Sequence, residues 1–352
     1  MGENERSTSG HPFGIHRVLD SRPCLPQAAE KLDNRLPIYP NEILIEVERL
    51  NIDAASFVQM EKETGKSADK IGQIVLRNCQ TNGKQQNHET GSGGMLIGRV
   101  AQVGSKYGGP LKFKVGDRVA SLVSLTLTPM QLGTIKKVHL ENHQIEVAGH
   151  AILFESSIAA ALPKDLSETV AMAAYDVAGA PATAAAICAK GNTVIIIGAG
   201  GKAGLLSCVA ARQKIGKSGK IIAIEPFAKA ADDLKGLGVC NEVLQIDATD
   251  PIAVRSGVER ATRGKMGDIV INVASVANTE ISSILSAKDR GKILFFSMAT
   301  SFSRVTLGAE GIACRATLLF GNGYYPKHSQ YVIGLLRKHK ALRELFYRRY
   351  HS

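Results

Sequence analysis

Apolar and polar positions alternate over short runs in the first third of the chain: EILIEVERLNI from Glu42, GMLIGRVAQVG from Gly94 and VGDRVASLVSL from Val115, with Gly and Pro between them. This spacing predicts a small antiparallel barrel or sandwich up to about Val123. Between Gly65 and Gly94 the chain turns polar and glycine-rich (KSADK, CQTNGKQQNHETGSGG), which predicts a long surface excursion or a lid. From Ser167 the pattern changes to an alanine-rich SETVAMAAYDVAGAPATAAAICAKG, which predicts a helix N-capped by Ser167 and then a second helix. After Gly191, apolar runs (TVIIIG, KIIAIE, VLQI, DIVINVA, KILFFS) alternate with helical segments such as KAGLLSCVAARQKIG, FAKAADDLKGLG and Ile252 to Ala261. Runs without polar alternation belong to strands buried on both faces, so an α/β class with a doubly wound parallel sheet is expected. The expected division is a mostly-β domain at 1–164, completed by 319–352, and a parallel α/β domain at 165–318.

Composition is compatible with two cores: 352 residues, 44% hydrophobic. Basic residues exceed acidic ones by 43 to 32, a net charge of +11, most densely in LLRKHKALRELFYRRYHS at the C-terminus. A nucleic-acid face is one reading of that segment. The preferred one is a solvated helix with an apolar stripe through Leu335, Leu336, Leu342, Leu345 and Phe346. The cysteines at 24, 79, 188, 208, 240 and 314 form no Cys-x-x-Cys pair and read as small buried hydrophobes in a reducing compartment. Residues 1–12 are polar, and no run approaches the ~20 apolar residues of a membrane span. A cytoplasmic protein without membrane or nucleic-acid partners is expected.

Chemistry concentrates at VIIIGAGGKAGLL, residues 194–206. Gly198, Gly200, Gly201 and Gly204 follow a buried strand and open a helix. In the spacing Gly198-x-x-Gly201-x-x-Gly204, the amides of Gly201, Lys202 and Ala203 can face a pyrophosphate at the positive helix end. The plainer alternative is a glycine turn that packs helix on strand. The next strand ends in Glu225, placed to accept from ribose hydroxyls and to repel a 2′-phosphate. This favours NAD as cofactor, with NADP possible because Lys229 lies nearby. Strand ends at NVASV (272–276) and FFSMAT (295–300) place the backbone of Ser275, Val276, Ser297 and Met298 where a nicotinamide amide would lie.

PNEILIEVERLNIDAASF, GRVAQVGSKYGGPLKFKVGDRV and LPKDLSETVAM, followed by the glycine loop, resemble the medium-chain dehydrogenase/reductase superfamily over nearly the whole chain. The segments GIHRVLD (14–20), LPQAAEKLDN (25–34), TGSGGMLIG (90–98) and AYDVAGAPA (174–182) narrow the likeness to a branch of amino acid dehydrogenases of lysine fermentation. The resemblance implies a GroES-like catalytic domain, a Rossmann domain and an active site in the cleft between them. It also implies oxidation of the C3 amine of a 3,5-diamino acid by NAD, with hydrolysis of the imine to a ketone and ammonium.

Zinc-dependent relatives would place ligands at positions that fall here on Asp53, near Gly94 and on Asp176; His88 and Glu89 lie several residues too early to fill the gap. No catalytic metal is expected. Two carboxylates suit a diamine instead. Asp176, beside Tyr175, is the first candidate for pairing with and deprotonating the reacting ammonium. Asp53 is the second, either for the same role or to hold the C5 ammonium. The plainer readings are an N-cap or salt-bridged structural acid at Asp176 and a turn acid bonded to the Ser56 backbone at Asp53. Ser92, Asn322 and Tyr324 are further substrate candidates, although Gly321 and Gly323 also mark a simple tight turn. TLLFGN at 317–322 reads as an edge strand through which a homodimer would pair. A zinc-free, NADPH-dependent quinone or enoyl reductase is the alternative enzyme. A non-catalytic nucleotide-bound RNA-binding or crystallin-like protein is the alternative of another class.

Overall fold

The computed structural model describes residues 6–351 except Thr90 and Val123. The chain divides into two compact units, 1–168 and 169–352.

In the first unit, β1 (Ile43–Asn51) is followed by helices α1 (Ala54–Thr64) and α2 (Ala68–Asn82). Then come β2 (Met95–Val103), β3 (Arg118–Ser121), β4 (Met130–His139), β5 (Gln144–Leu153) and β6 (Ala159–Ala161). The strands form one antiparallel sheet in the order β4-β5-β1-β2-β3-β6. The period-2 pattern of β1 sends Ile43, Ile45 and Val47 inward against Phe57 and Met60 of α1 and Ile71, Val75 and Cys79 of α2. The expected lid between Gly65 and Gly94 is thus corrected, because most of it is the packed helix α2. Ser67 caps its start by accepting from the Lys70 N–H, Gly83 ends it with φ +69°, and Ile71, Val75 and Cys79 recur at helical spacing on its buried face.

An irregular N-terminal arm is held on this unit by buried charge. Arg17, fully buried, donates from Nε and Nη2 to the two oxygens of Glu42 at 2.7 and 2.6 Å and from Nη1 to the carbonyls of Asp33 and Arg35. Glu42 also accepts from the Tyr39 N–H and bonds the His16 ring. Each side-chain nitrogen of Arg17 and each carboxylate oxygen of Glu42 therefore finds a partner, the condition under which a buried ion pair is tolerated; removing one partner of such a pair typically costs about 3–5 kcal/mol. Asp20 accepts the N–H groups of Glu30 and Lys31, and Lys84 donates from its buried Nζ to the carbonyls of Pro26 and Gln27. The GIHRVLD signature is accordingly structural in its Arg17 and Asp20.

The second unit begins with α3 (Glu168–Tyr175, its first residue still in the first unit) and α4 (Gly179–Ile187). It continues as β7 (Thr193–Ile197), α5 (Lys202–Ile215), β8 (Lys220–Ile224), α6 (Ala228–Leu237), β9 (Glu242–Leu244), α7 (Pro251–Thr262) and β10 (Gly267–Asn272). Last come α8 (Glu280–Ser286), β11 (Ala287–Phe295), α9 (Phe302–Gly311), β12 (Thr317–Phe320), α10 (His328–Lys338) and α11 (Lys340–Tyr350). The sheet is parallel throughout, in the order β12-β11-β10-β7-β8-β9. β7 lies where the connection order reverses, the position at which ligands bind such sheets. Val194, Ile195, Ile196 and Ile197 are each 0% exposed, which is why no polar alternation interrupts the run.

One expected boundary changes. Residues 319–352 group with the second unit, because α10 packs on α4 and α5, and α11 on α6. The apolar stripe read at Leu335, Leu336, Leu342, Leu345 and Phe346 is buried in that packing. Among the described residues no single helix is long and apolar enough to cross a membrane. α3 and α4 pass that test only as a pair bent by 50°, and most of their residues are buried in the fold.

Candidate functional site

The glycine loop leaves β7 at its C-terminal end. Gly198 turns with φ +77°, and a Cβ there would stand 2.6 Å from the Cα of Ala274, so the chain needs glycine both for its dihedral and for the approach of the β10 loop. A Cβ on Gly204 would lie 2.4 Å from the carbonyl oxygens of Gly198 and Ala199; the absence of a side chain lets α5 sit directly on the loop. Gly201 caps α5, and the nearest atom to a Cβ there is 3.7 Å away. That open concavity stands before the first turn of α5, whose N–H groups have no preceding turn to donate to. These residues fit a dinucleotide pyrophosphate. Of the three amides expected to face it, that of Gly201 also makes a long 3.4 Å contact to the Gly198 carbonyl.

Glu225 follows β8 and is 5% exposed. Its Oε2 accepts from the Gly200 N–H at 2.9 Å and its Oε1 from the Phe227 N–H at 3.2 Å. It thus braces the loop, a role its position beyond the strand did not disclose. Lys229 is exposed on α6. At the neighbouring strand ends, Ser275 and Val276 are exposed, Ser297 is half-buried and accepts the Ala299 N–H on its Oγ, and Met298 is 87% exposed. Sequence reasoning missed Asn272, fully buried at the end of β10. Its Nδ2 donates to Thr279 and Ser283 and its Oδ1 accepts the Ala274 N–H, which fixes the loop lying against Gly198.

Asp176 follows the last turn of α3, and its Oδ2 accepts from Lys202 Nζ at 2.6 Å, with the two side chains 20% and 27% exposed. The pair joins the expected catalytic acid to the first residue of α5, in the glycine loop itself. The salt-bridged reading of Asp176 is therefore correct as geometry. The signal in the sequence is the lysine inside a phosphate-type loop, whose side chain is a candidate partner as well as its backbone. Tyr175 is 7% exposed. The loop after β12 is brought to the same region: the Gly323 carbonyl oxygen would be 2.3 Å from a Cβ on Gly179, three residues past Asp176. There Asn322 accepts the Tyr324 N–H on its Oδ1, as in a tight turn, and Tyr324 is 47% exposed with its ring edge-on to His328.

In the first unit, Asp53 caps α1, Oδ1 accepting from the Ser56 N–H at 2.9 Å as the plainer reading has it. Its Oδ2 is buried and, among the described residues, has no hydrogen-bond partner. A buried carboxylate oxygen left so is costly unless a ligand or water completes it. Ser92 is half-buried, and its carbonyl accepts the Asn87 N–H; Thr90, which opens the TGSGG segment, lies outside the described residues. Among the described residues no three His, Cys, Asp or Glu side chains converge on one point. Asp53 is engaged as a helix cap and Asp176 as the partner of a lysine.

Residues 16–163 match the family model of the L-erythro-3,5-diaminohexanoate dehydrogenase N-terminal domain. The chain is 42% identical over 341 residues to the L-erythro-3,5-diaminohexanoate dehydrogenase of Acetoanaerobium sticklandii, covering 97% of this chain and 99% of that one. To the enzyme of the same name from Fusobacterium nucleatum it is 43% identical over 337 residues, covering 96% and 98%. Among solved structures it is similar to CurK enoyl reductase (TM-score 0.55, 15% identity, 85% of this chain and 79% of that one). It is also similar to the quinone oxidoreductase of Coxiella burnetii (0.54, 18%, 85% and 80%) and an alcohol dehydrogenase of Thermotoga maritima (0.53, 16%, 87% and 84%). At such identities the structural likeness shows the oxidoreductase fold, an antiparallel unit followed by a Rossmann unit, and the near full-length relatives show the rest: the chain belongs to the L-erythro-3,5-diaminohexanoate dehydrogenase family.

Proposed function

We propose that this protein is a cytoplasmic NAD(P)-dependent dehydrogenase that converts L-erythro-3,5-diaminohexanoate to 5-amino-3-oxohexanoate and ammonium, and that it uses NAD in preference to NADP. The observation that carries the reading is the 42% identity to a dehydrogenase of that name over 97% of the chain. The Lys202–Asp176 pair beside the glycine loop supports it from the side of chemistry. The preference for NAD is supported by the carboxylate of Glu225 behind Gly200, because a second anion there would meet a 2′-phosphate.

The substrate arrives with C3 as an ammonium, which cannot release a hydride from that carbon until its nitrogen lone pair is freed. Asp176 pairs with this ammonium through the oxygen that Lys202 leaves uncommitted. The positive charge of Lys202 so close by lowers the affinity of the substrate nitrogen for its proton, and Asp176 relays that proton to solvent, so that it is a carboxylate again when the hydride leaves. A bound nicotinamide supplies the hydride acceptor. As the C3 hydrogen leaves, the nitrogen lone pair forms the C=N bond, and Asp176 steadies the resulting iminium charge. Water adds to C3, a proton passes to nitrogen, ammonia departs as ammonium, and the ketone remains. Tyr175, Asn322 and Tyr324 are assigned to holding the substrate near Asp176; within the first unit, Ser92 and Asp53 are the candidate polar contacts, the buried open oxygen of Asp53 being suited to an ammonium.

The protein is proposed to act as a homodimer through β12, the exposed edge of the parallel sheet. Incubation of the purified protein with NAD and 3,5-diaminohexanoate tests the central reading. Reduction of the nicotinamide with one ammonium released per turnover is expected. Reduction of a quinone or enoyl substrate by NADPH, with no turnover of the diamine, would overturn it.

A further inference from the structure

The basic C-terminal helix finds a role in the contacts of its last turn. Arg349 of α11 donates from Nη1 to the carbonyl oxygen of Gly200 at 2.6 Å. From Nε it donates to Asp233 Oδ2 of α6 at 3.0 Å, with Nη2 paired to the same oxygen. Arg348 pairs with the other oxygen of Asp233. The N–H of Gly200 meanwhile donates to Glu225. The residue at the centre of the glycine loop is therefore held at both its N–H and its C=O by side chains 25 and 149 positions away in the sequence. Docking α11 on α6 would need only the pairing with Asp233. The further donor aimed at Gly200 acts on the loop, whose peptide planes decide where the amides of the following residues point.

We propose that α11 is a component of the dinucleotide site and that Arg349 is a positioning residue that sets dinucleotide affinity by clamping the Gly200 peptide against Glu225. A guanidinium is suited to this because its planar fork can hold a carboxylate and a carbonyl at once, and its charge adds to the positive end of α5 that faces a pyrophosphate. The inference rests on reading the glycine loop as the dinucleotide site, and its test separates the two.

NAD+ and ADP-ribose, which carries the pyrophosphate but no nicotinamide, are titrated calorimetrically into the full-length protein and into Arg349→Met, Arg349→Lys and Arg348→Met, with melting temperatures measured on the same preparations. Hydrogen bonds from charged donors are typically worth about 10- to 100-fold in an equilibrium, so Arg349→Met is expected to weaken both ligands by about 10-fold or more. Its KM for NAD should rise by a larger factor than its kcat falls. Arg349→Lys keeps the charge and the fold but not the fork, and should lie between Arg349→Met and the unaltered protein. Arg348→Met, which leaves the Gly200 contact in place, should bind ADP-ribose as the unaltered protein does. A lower melting temperature with unchanged ADP-ribose affinity in both Arg349 variants would overturn the inference while leaving the dinucleotide reading intact. Failure of the unaltered protein to bind either ligand would overturn both.

Discussion

At the scale of single residues, two acids divide the proposed chemistry. Asp176 sits 2.6 Å from Lys202. Replacing it with Asn keeps shape and polarity but removes charge and basicity, and the loss of a positioned acid–base group typically lowers a rate by about 10²–10⁴-fold. Turnover per folded molecule of Asp176→Asn is expected to fall in that range, while NAD+ affinity, which the proposed reading assigns to the loop from Gly198 to Gly204, is expected to change far less. A lowered melting temperature with turnover intact would move the catalytic role to Asp53. Glu225 gives the second expectation. Its carboxylate braces Gly200, and in the proposed preference for NAD it also opposes a 2′-phosphate. Glu225→Ser should therefore weaken NAD through the loosened loop and, by removing a like charge, narrow the ratio of kcat/KM for NAD to that for NADP. An unmodified enzyme that already prefers NADP would refute this account of Glu225.

At the scale of elements, the N-terminal arm shows how a segment with a single short 3-10 turn at Ile15–Arg17 among its described residues is kept in place. Around Asp33, burial alone would raise the carboxyl, but hydrogen bonds from the Arg35 side chain and backbone and from Arg6 outweigh it and hold the group at about 2, against an ordinary 3.8. Glu42 behaves alike: burial opposes, and the bonds from Arg17 and His16 prevail, so its carboxyl too lies below the ordinary range. Both folded-state values are depressed, so the folded state binds fewer protons than the unfolded one below the ordinary carboxylate range. For Asp33 the stabilisation is fully present above about pH 4 and is lost as the pH falls toward about 2. Melting temperatures of the unaltered protein and of Asp33→Asn should accordingly differ most near neutrality and converge between about pH 4 and pH 2. A difference that stays constant across that window would show that Asp33 acts by packing alone.

At the scale of the whole molecule, β12 leaves one edge of the parallel sheet open. Phe320 at its end is 47% exposed, and Phe302, whose ring lies 5.5 Å from it, is 65% exposed. An uncovered apolar edge of this kind invites pairing with a second copy. Light scattering at micromolar concentration should give twice the chain mass, and Phe320→Glu should shift the protein toward the monomer by placing a charge in the paired edge. A monomeric unaltered protein would dismiss the dimer.

What the sequence determined by itself is what burial writes along one dimension. The runs 194–197, 221–224 and 293–295 are apolar at every position because both faces of the parallel sheet are covered there, and a reader needs no partner strand to see it. The paired leucines of α10 and α11 carry the same kind of local record, as do Ser67, Ile71, Val75, Cys79 and Gly83 of α2, although there a polar composition concealed a helix whose caps and spacing were present. The tertiary structure alone decided the pairings. Lys202 meets Asp176 across 26 positions and Arg349 meets Gly200 across 149, while α10 and α11 turn to the second unit although their sequence suits either. A charged side chain on a solvated face is compatible with many partners, and its choice depends on how helices dock and in which direction each side chain leaves its backbone. Those are properties of the packed molecule, and no local pattern encodes them.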